Sequence, residues 1–185
     1  MSQYQWIASI DDYTENSNAQ MEKKRNVWHT IAFSADDQLR QRVAWCLAQI
    51  FVISEAQVNR LRETELFQQY YDIFVRNAFG MYRDVLKEVS YSPMMGTMLT
   101  FLQSKSLAYS LGEGSELYPD ENYAREIMQL FTIGLHQLNM DGTKKLDSNN
   151  NYIPTYTNLD IMSLARVWTG FDYQFGGRGN IENYR

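Results

Sequence analysis

At 185 residues, with 44% hydrophobic and 21% charged side chains, the chain is long enough to bury its own core and too apolar for a disordered segment. A net charge of −5, with no basic run interleaved with aromatics, argues against a nucleic-acid backbone as partner. One cysteine, Cys46, excludes internal disulfides and thiolate zinc sites, and no run approaches the ~20 apolar residues of a membrane span.

In chain order, residues 1–33 read as an irregular or partly helical segment. Trp6, Ile7 and Ile10 form an apolar cluster, Asp11 to Gln20 a polar turn, and Met21 to Ile31 a helix with Val27, Trp28 and Ile31 on one side. The start at Met1 lacks the basic and apolar regions of a signal peptide, so if the protein is secreted its signal lies upstream. Residues 34–171 read as one helical domain. Ser34 is placed to cap a helix with Asp36 and Asp37 in its first turn. Leu39, Val43, Cys46, Ile50 and Ile53 then recur at helical spacing, which predicts a core-facing stripe with Cys46 buried in it as a small hydrophobe. Further helices are predicted over 65–79, ending at Gly80, and over 82–89. Another opens at Pro93 with Ser92 as cap and carries Met94, Met95, Met98, Leu99 and Leu102 as core filler.

Residues 104–117, with Gly112 and Gly114, read as a loop, and a helix from Pro119 to Gly134 follows. Turn-rich 139–156 predicts a small β-hairpin, the one strand element expected in an otherwise all-α, multi-helix bundle-like globular fold. Thr157 and Asp160 form a capping pair for the last helix, which buries Ile161, Leu164, Ala165 and Trp168 and closes at Gly170. Residues 172–185 read as a Gly-rich tail leading to a C-terminal part outside this sequence. The high aromatic share, 14% with 13 Tyr, predicts polar contacts inside the core, because a buried phenol needs a partner.

The string from Pro119 to Glu126 concentrates polar chemistry. On a helix Glu121 and Arg125 stand one turn apart, as do Asn122 and Glu126, at the start of a helix whose other face is apolar. Two readings follow. In the preferred one the cluster is an ion-paired helix start, with Glu126 buried against an arginine. Arg125 points about 100° away from Glu126, so Arg42 or Arg166 from another helix is the better partner. In the other, Glu126 is the candidate catalytic acid or base, with Asn122 and Arg125 positioning a ligand. Two histidines, His29 and His136, cannot form a three-histidine metal centre, and the string from Gly112 to Ser115 lacks the order of a nucleophile elbow. The string from Asp147 to Asn151 begins like a calcium loop but carries Tyr152 at the sixth position and Asn158 at the twelfth, so an Asn-rich turn explains it better. No metal or cofactor is expected.

Four strings carry a resemblance: Asp37 to Phe51, Tyr91 to Gly96, Asp120 to Gly134 and Ala165 to Gly170. Together, and in this order over about 36–171, they resemble domain-of-unknown-function family 1800. The resemblance implies an α-helical fold, export to an extracellular or periplasmic setting, and an association with exported, sulfatase-like members of family 1501. It implies no catalytic residues. The preferred function is therefore a non-catalytic structural or binding protein, exported and working beside an extracellular enzyme. The alternative is a hydrolase-like enzyme acting on extracellular polymers through Glu126.

Overall fold

The computed structural model describes residues 17–58 and 64–173. The apolar cluster expected at Trp6 to Ile10 and nearly all of the Gly-rich tail lie outside them. The chain divides into two compact units at Met98 and Leu99. Both are helical, and no strand occurs among the described residues.

The first unit holds α1 (Ser17–Ser34), α2 (Gln38–Ile50), the short α3 (Glu55–Val58), α4 (Thr64–Arg76), α5 (Tyr82–Ser90) and α6 (Pro93–Met98). Ser34 does not open a helix as expected. It ends α1, where its hydroxyl donates to the carbonyl of Thr30, and α2 starts at Gln38 after a short turn. Pro93 does open α6, and Met94 and Met95 are buried, as are Val85 and Val89 of α5.

α2 buries a different face from the one its periodicity predicts. Its buried residues are Gln41 and Ala44, while Leu39 is 70% exposed and Cys46 is exposed. Two sets share helical spacing here, Leu39–Val43–Cys46–Ile50 and Gln41–Ala44–Ala48–Phe51. Hydrophobicity favours the first, but α2 packs chiefly against α4, and alanines let two helices approach more closely than leucine and isoleucine do. Cys46 lies about 200° round the helix from Ala44 and faces away. Native-state labelling of Cys46 by an aromatic disulfide reagent is expected to run to completion without denaturant. Labelling that waits for unfolding would restore the buried stripe.

α4 and α5 are clasped at their surface. Glu88 accepts from Arg76 Nε at 2.8 Å and again from Arg76 Nη2, and its other oxygen accepts from Asn77 Nδ2 at 2.8 Å. Burial works to raise the Glu88 pKa, but the Arg76 and Asn77 hydrogen bonds outweigh it and hold the carboxyl below its ordinary 4.5. A depressed carboxyl stabilises the fold above its unfolded pKa, and that stabilisation is lost as pH falls through the folded value. Glu88→Gln is expected to cost at most about 1 kcal/mol at neutral pH, since the pair is partly exposed. Urea melts of wild type and variant should converge as pH is lowered below the ordinary 4.5 and through the folded value. A pH-independent gap would rule out the clasp.

The second unit holds α7 (Leu107–Gly112), α8 (Asn122–Glu126) running into a π-helical turn (Ile127–Phe131), and α9 (Asn158–Ala165) running into a 3₁₀ turn (Arg166–Trp168). α7 falls in the stretch expected to be loop. Ser106 caps it by accepting from the Tyr109 N–H, a signal masked by the glycines that follow. The helix expected to reach Leu102 stops at Met98, because Thr100 and Gln103 take left-handed φ values of 60° and 65°. That turn delivers Phe101, 2% exposed, to an aromatic core with Tyr123, Trp168 and Phe171. The Thr157–Asp160 capping box opens α9 as expected.

The excursion expected as a hairpin is a closed set of three arms. Isolated antiparallel bridges join His136 to Pro154, Leu138 to Lys144 and Leu146 to Tyr152. At its centre Lys145 N–H donates to Gln137 O, Ile153 N–H to Lys145 O and Gln137 N–H to Ile153 O. Each arm bonds both others, so the pairing closes on itself and no ladder extends into a strand.

Candidate functional site

The polar cluster predicted from sequence gathers at the start of α8, and most of its groups are satisfied within the second unit. Arg125 Nη2 donates to Glu121 Oε2 at 2.7 Å, one turn apart, with both side chains about two-fifths exposed. A pair so open contributes about 0.3–0.5 kcal/mol. Asn122 donates its side-chain N–H to Thr100 Oγ1 at 2.7 Å, and its backbone N–H to Asp120 Oδ1 at 2.9 Å. Asp120 N–H donates to Ser104 Oγ, and the Ser104 carbonyl accepts from Gly170 N–H, both at 3.0 Å. The strap at 100–104 thus ties the start of α8 to the end of the 3₁₀ turn. Thr100 and Ser104 are cluster members that sequence reasoning missed, since neither lies at helical spacing from Asn122.

Glu126 stands apart. It is half-buried, its Oε2 is enclosed by protein, and that oxygen has no hydrogen-bond donor among the described residues. The expected arginine partner is not found within the second unit. Arg125 is held by Glu121, and Arg166 is exposed on the 3₁₀ turn with its carbonyl accepting from Thr169 Oγ1. Arg42 belongs to the first unit, where it is exposed beside Trp45 and Tyr71. Directly after Glu126 the helix widens into the π turn, whose Ile127 carbonyl accepts from Thr132 Oγ1. Such one-turn widenings recur at functional sites.

The calcium-like string is closed on itself. Asp147 Oδ1 accepts from the Asn149 and Asn151 N–H groups, each at 2.8 Å. The Asn151 bond does most to hold this carboxyl below its usual range. Among the described residues no three His, Cys, Asp or Glu side chains gather as metal ligands would. No helix among them is long and apolar enough to cross a membrane.

One further feature was invisible as a motif. A cavity of about 430 Å³ in the first unit is walled by Trp28, Trp45, Phe67, Tyr70, Tyr71 and Phe74 from α1, α2 and α4. Tyr70 and Phe74 are buried and form its floor. Arg25, His29 and Glu55 line its rim, with Arg25 Nη2 3.4 Å from Glu55 Oε2. Burial raises the Tyr71 phenol above its ordinary 10.0, more than the opposing hydrogen bond with Trp28 lowers it. The only sequence signal was the density of aromatics in these helices, which reads equally well as core.

Glu126→Gln separates the two readings of α8. A partnerless buried carboxylate oxygen destabilises the fold, so the substitution is expected to leave the melting temperature unchanged or raise it. A loss on the order of 3 kcal/mol would reveal an arginine partner.

No curated protein and no solved structure matches this chain. A family model does, over residues 1–184, a wider span than the four strings covered. The chain belongs to the family described as "Protein of unknown function (DUF1800)".

Proposed function

We propose that this protein is a non-catalytic binding protein that takes a small molecule in the aromatic cavity of its first unit. The observation that carries this reading is the cavity itself: about 430 Å³, aromatic-walled, with a few charged and polar groups at its rim. Its volume falls in the ~300–1,000 Å³ range of ligand sites, and apolar walls with few convergent polar groups are their usual make-up. The family resemblance supports an exported setting, with a sulfatase-like family 1501 protein as the partner to test. The second reading, a hydrolase-like enzyme acting on extracellular polymers, is favoured by the Glu126 oxygen beside the π turn, which has no donor among the described residues. Polysaccharide turnover by wild type that is lost in Glu126→Gln would select it.

Naphthalene-2-methanol, an uncharged two-ring probe, tests the cavity. Burying ~150 Å² of its apolar surface corresponds to about 4 kcal/mol, so a dissociation constant on the order of 1 mM is expected. The indole N–H signals of Trp28 and Trp45 should shift on titration, while that of Trp168, a residue of the second unit, stays in place. Ala48 lines the cavity, and Ala48→Phe should fill it and abolish the shifts. Shifts that are absent, or that survive in a folded Ala48→Phe protein, would overturn the reading.

A further inference from the structure

We propose that the cavity selects planar aromatic anions, with the ring held between the aromatic walls and the acid group held by Arg25 at the rim. This rests on the cavity being the binding site. The walls favour a ring over an acyl chain. Eight of the lining residues carry rings, against three aliphatics, Ala48, Val52 and Ile53. The rings already meet one another in aromatic geometry. Trp28 and Trp45 lie 4.7 Å apart at 47°, Tyr70 meets Phe74 edge-on at 5.3 Å, and Phe51 stacks on Phe74 at 6.0 Å. A planar ligand extends that network through faces and edges alike, whereas a flexible chain gains only contact area and loses its rotamer freedom.

The rim sets the charge. Arg25 and His29 stand one turn apart on α1 and both line the cavity. The Arg25 side chain is 60% exposed, and its described contact with Glu55 is a single one of 3.4 Å, near the limit of a hydrogen bond. A guanidinium has five N–H donors in a planar fork, so donors remain for a carboxylate or sulfonate. His29 is fixed nearby by an edge contact with Trp28 at 5.3 Å and a stacked contact with Phe33 at 6.4 Å. Glu55 is less exposed, at 33%, and already faces Arg25. A cation would have to compete with that arginine for it. Aromatic walls attract cations too, so a cationic ligand is the rival outcome.

Three probes with one ring system decide the matter: naphthalene-2-carboxylate, naphthalene-2-methanol and naphthalene-2-methylammonium. Each is titrated into the whole chain at low salt while the Trp28 and Trp45 indole signals are followed. The carboxylate is expected to bind about tenfold more tightly than the alcohol, as one charge-assisted hydrogen bond allows, and the ammonium more weakly than the alcohol. Added salt should shrink the carboxylate's advantage. Arg25→Gln, at an exposed position, should collapse the carboxylate-to-alcohol ratio towards one. A carboxylate no tighter than the alcohol, an ammonium that binds best, or a ratio that survives Arg25→Gln would overturn anion selection and leave the cavity as a binding site. Failure of all three probes to bind would overturn both.

Discussion

The hydrogen bond from the Tyr70 hydroxyl to the Phe51 carbonyl, 2.8 Å long and buried, is the constraint around which the first unit is built. Phe51 caps α2, and its own N–H is spent on the Leu47 carbonyl. Its carbonyl lies past the end of the helix in a buried position. Left unmade, that bond would cost about 1–3 kcal/mol. Tyr70 comes from α4, so the bond fixes the end of one helix against the middle of another. The ring of Phe74, one turn along α4, meets both Tyr70 and Phe51. Two aromatic contacts and one hydrogen bond thus close a triangle of three residues. The cavity floor follows from that triangle, because Tyr70 and Phe74 are both its members and the cavity's lining.

The second unit is held differently, by backbone. Thr100 and Gln103 accept left-handed conformations that cost a non-glycine residue roughly 1–2 kcal/mol each. In return the strap buries Phe101 and is bonded at both ends, with Thr100 Oγ1 accepting from Asn122 at the first. Gln103 N–H donates to Phe171 O at 2.7 Å, and Ser104 receives both Asp120 and Gly170. The polar residues that looked like a site at the start of α8 are mostly the outer stitches of this strap. Glu126 is the exception, and it is an exception because its enclosed oxygen has no donor among the described residues.

Part of this was legible in the residues themselves. Pro93 at the first position of α6 and the reciprocal Thr157–Asp160 cap are both set by hydrogen bonds and dihedral preferences within a few residues. Buried methionines at 94 and 95 followed from apolar spacing. The expectation that core tyrosines would find polar partners is met at Tyr70. The four strings between Asp37 and Gly170 also sufficed to identify the family.

What the sequence by itself determined, then, was helical class, the starts of α4, α5, α6 and α9, and family membership, because each depends on neighbours close along the chain or on strings compared whole. Tertiary structure alone decided which face of α2 is buried. Two stripes of equal period compete there, and the choice turns on how closely α4 can approach rather than on hydrophobicity. It alone decided that the helix after Glu126 widens, that Glu126 Oε2 finds no donor among the described residues, and that Cys46 faces outward. It also decided that aromatics spread over three helices enclose a space instead of filling it. An aromatic residue carries the same local signature in a core and in a cavity wall, and only the shape of what stands opposite distinguishes them.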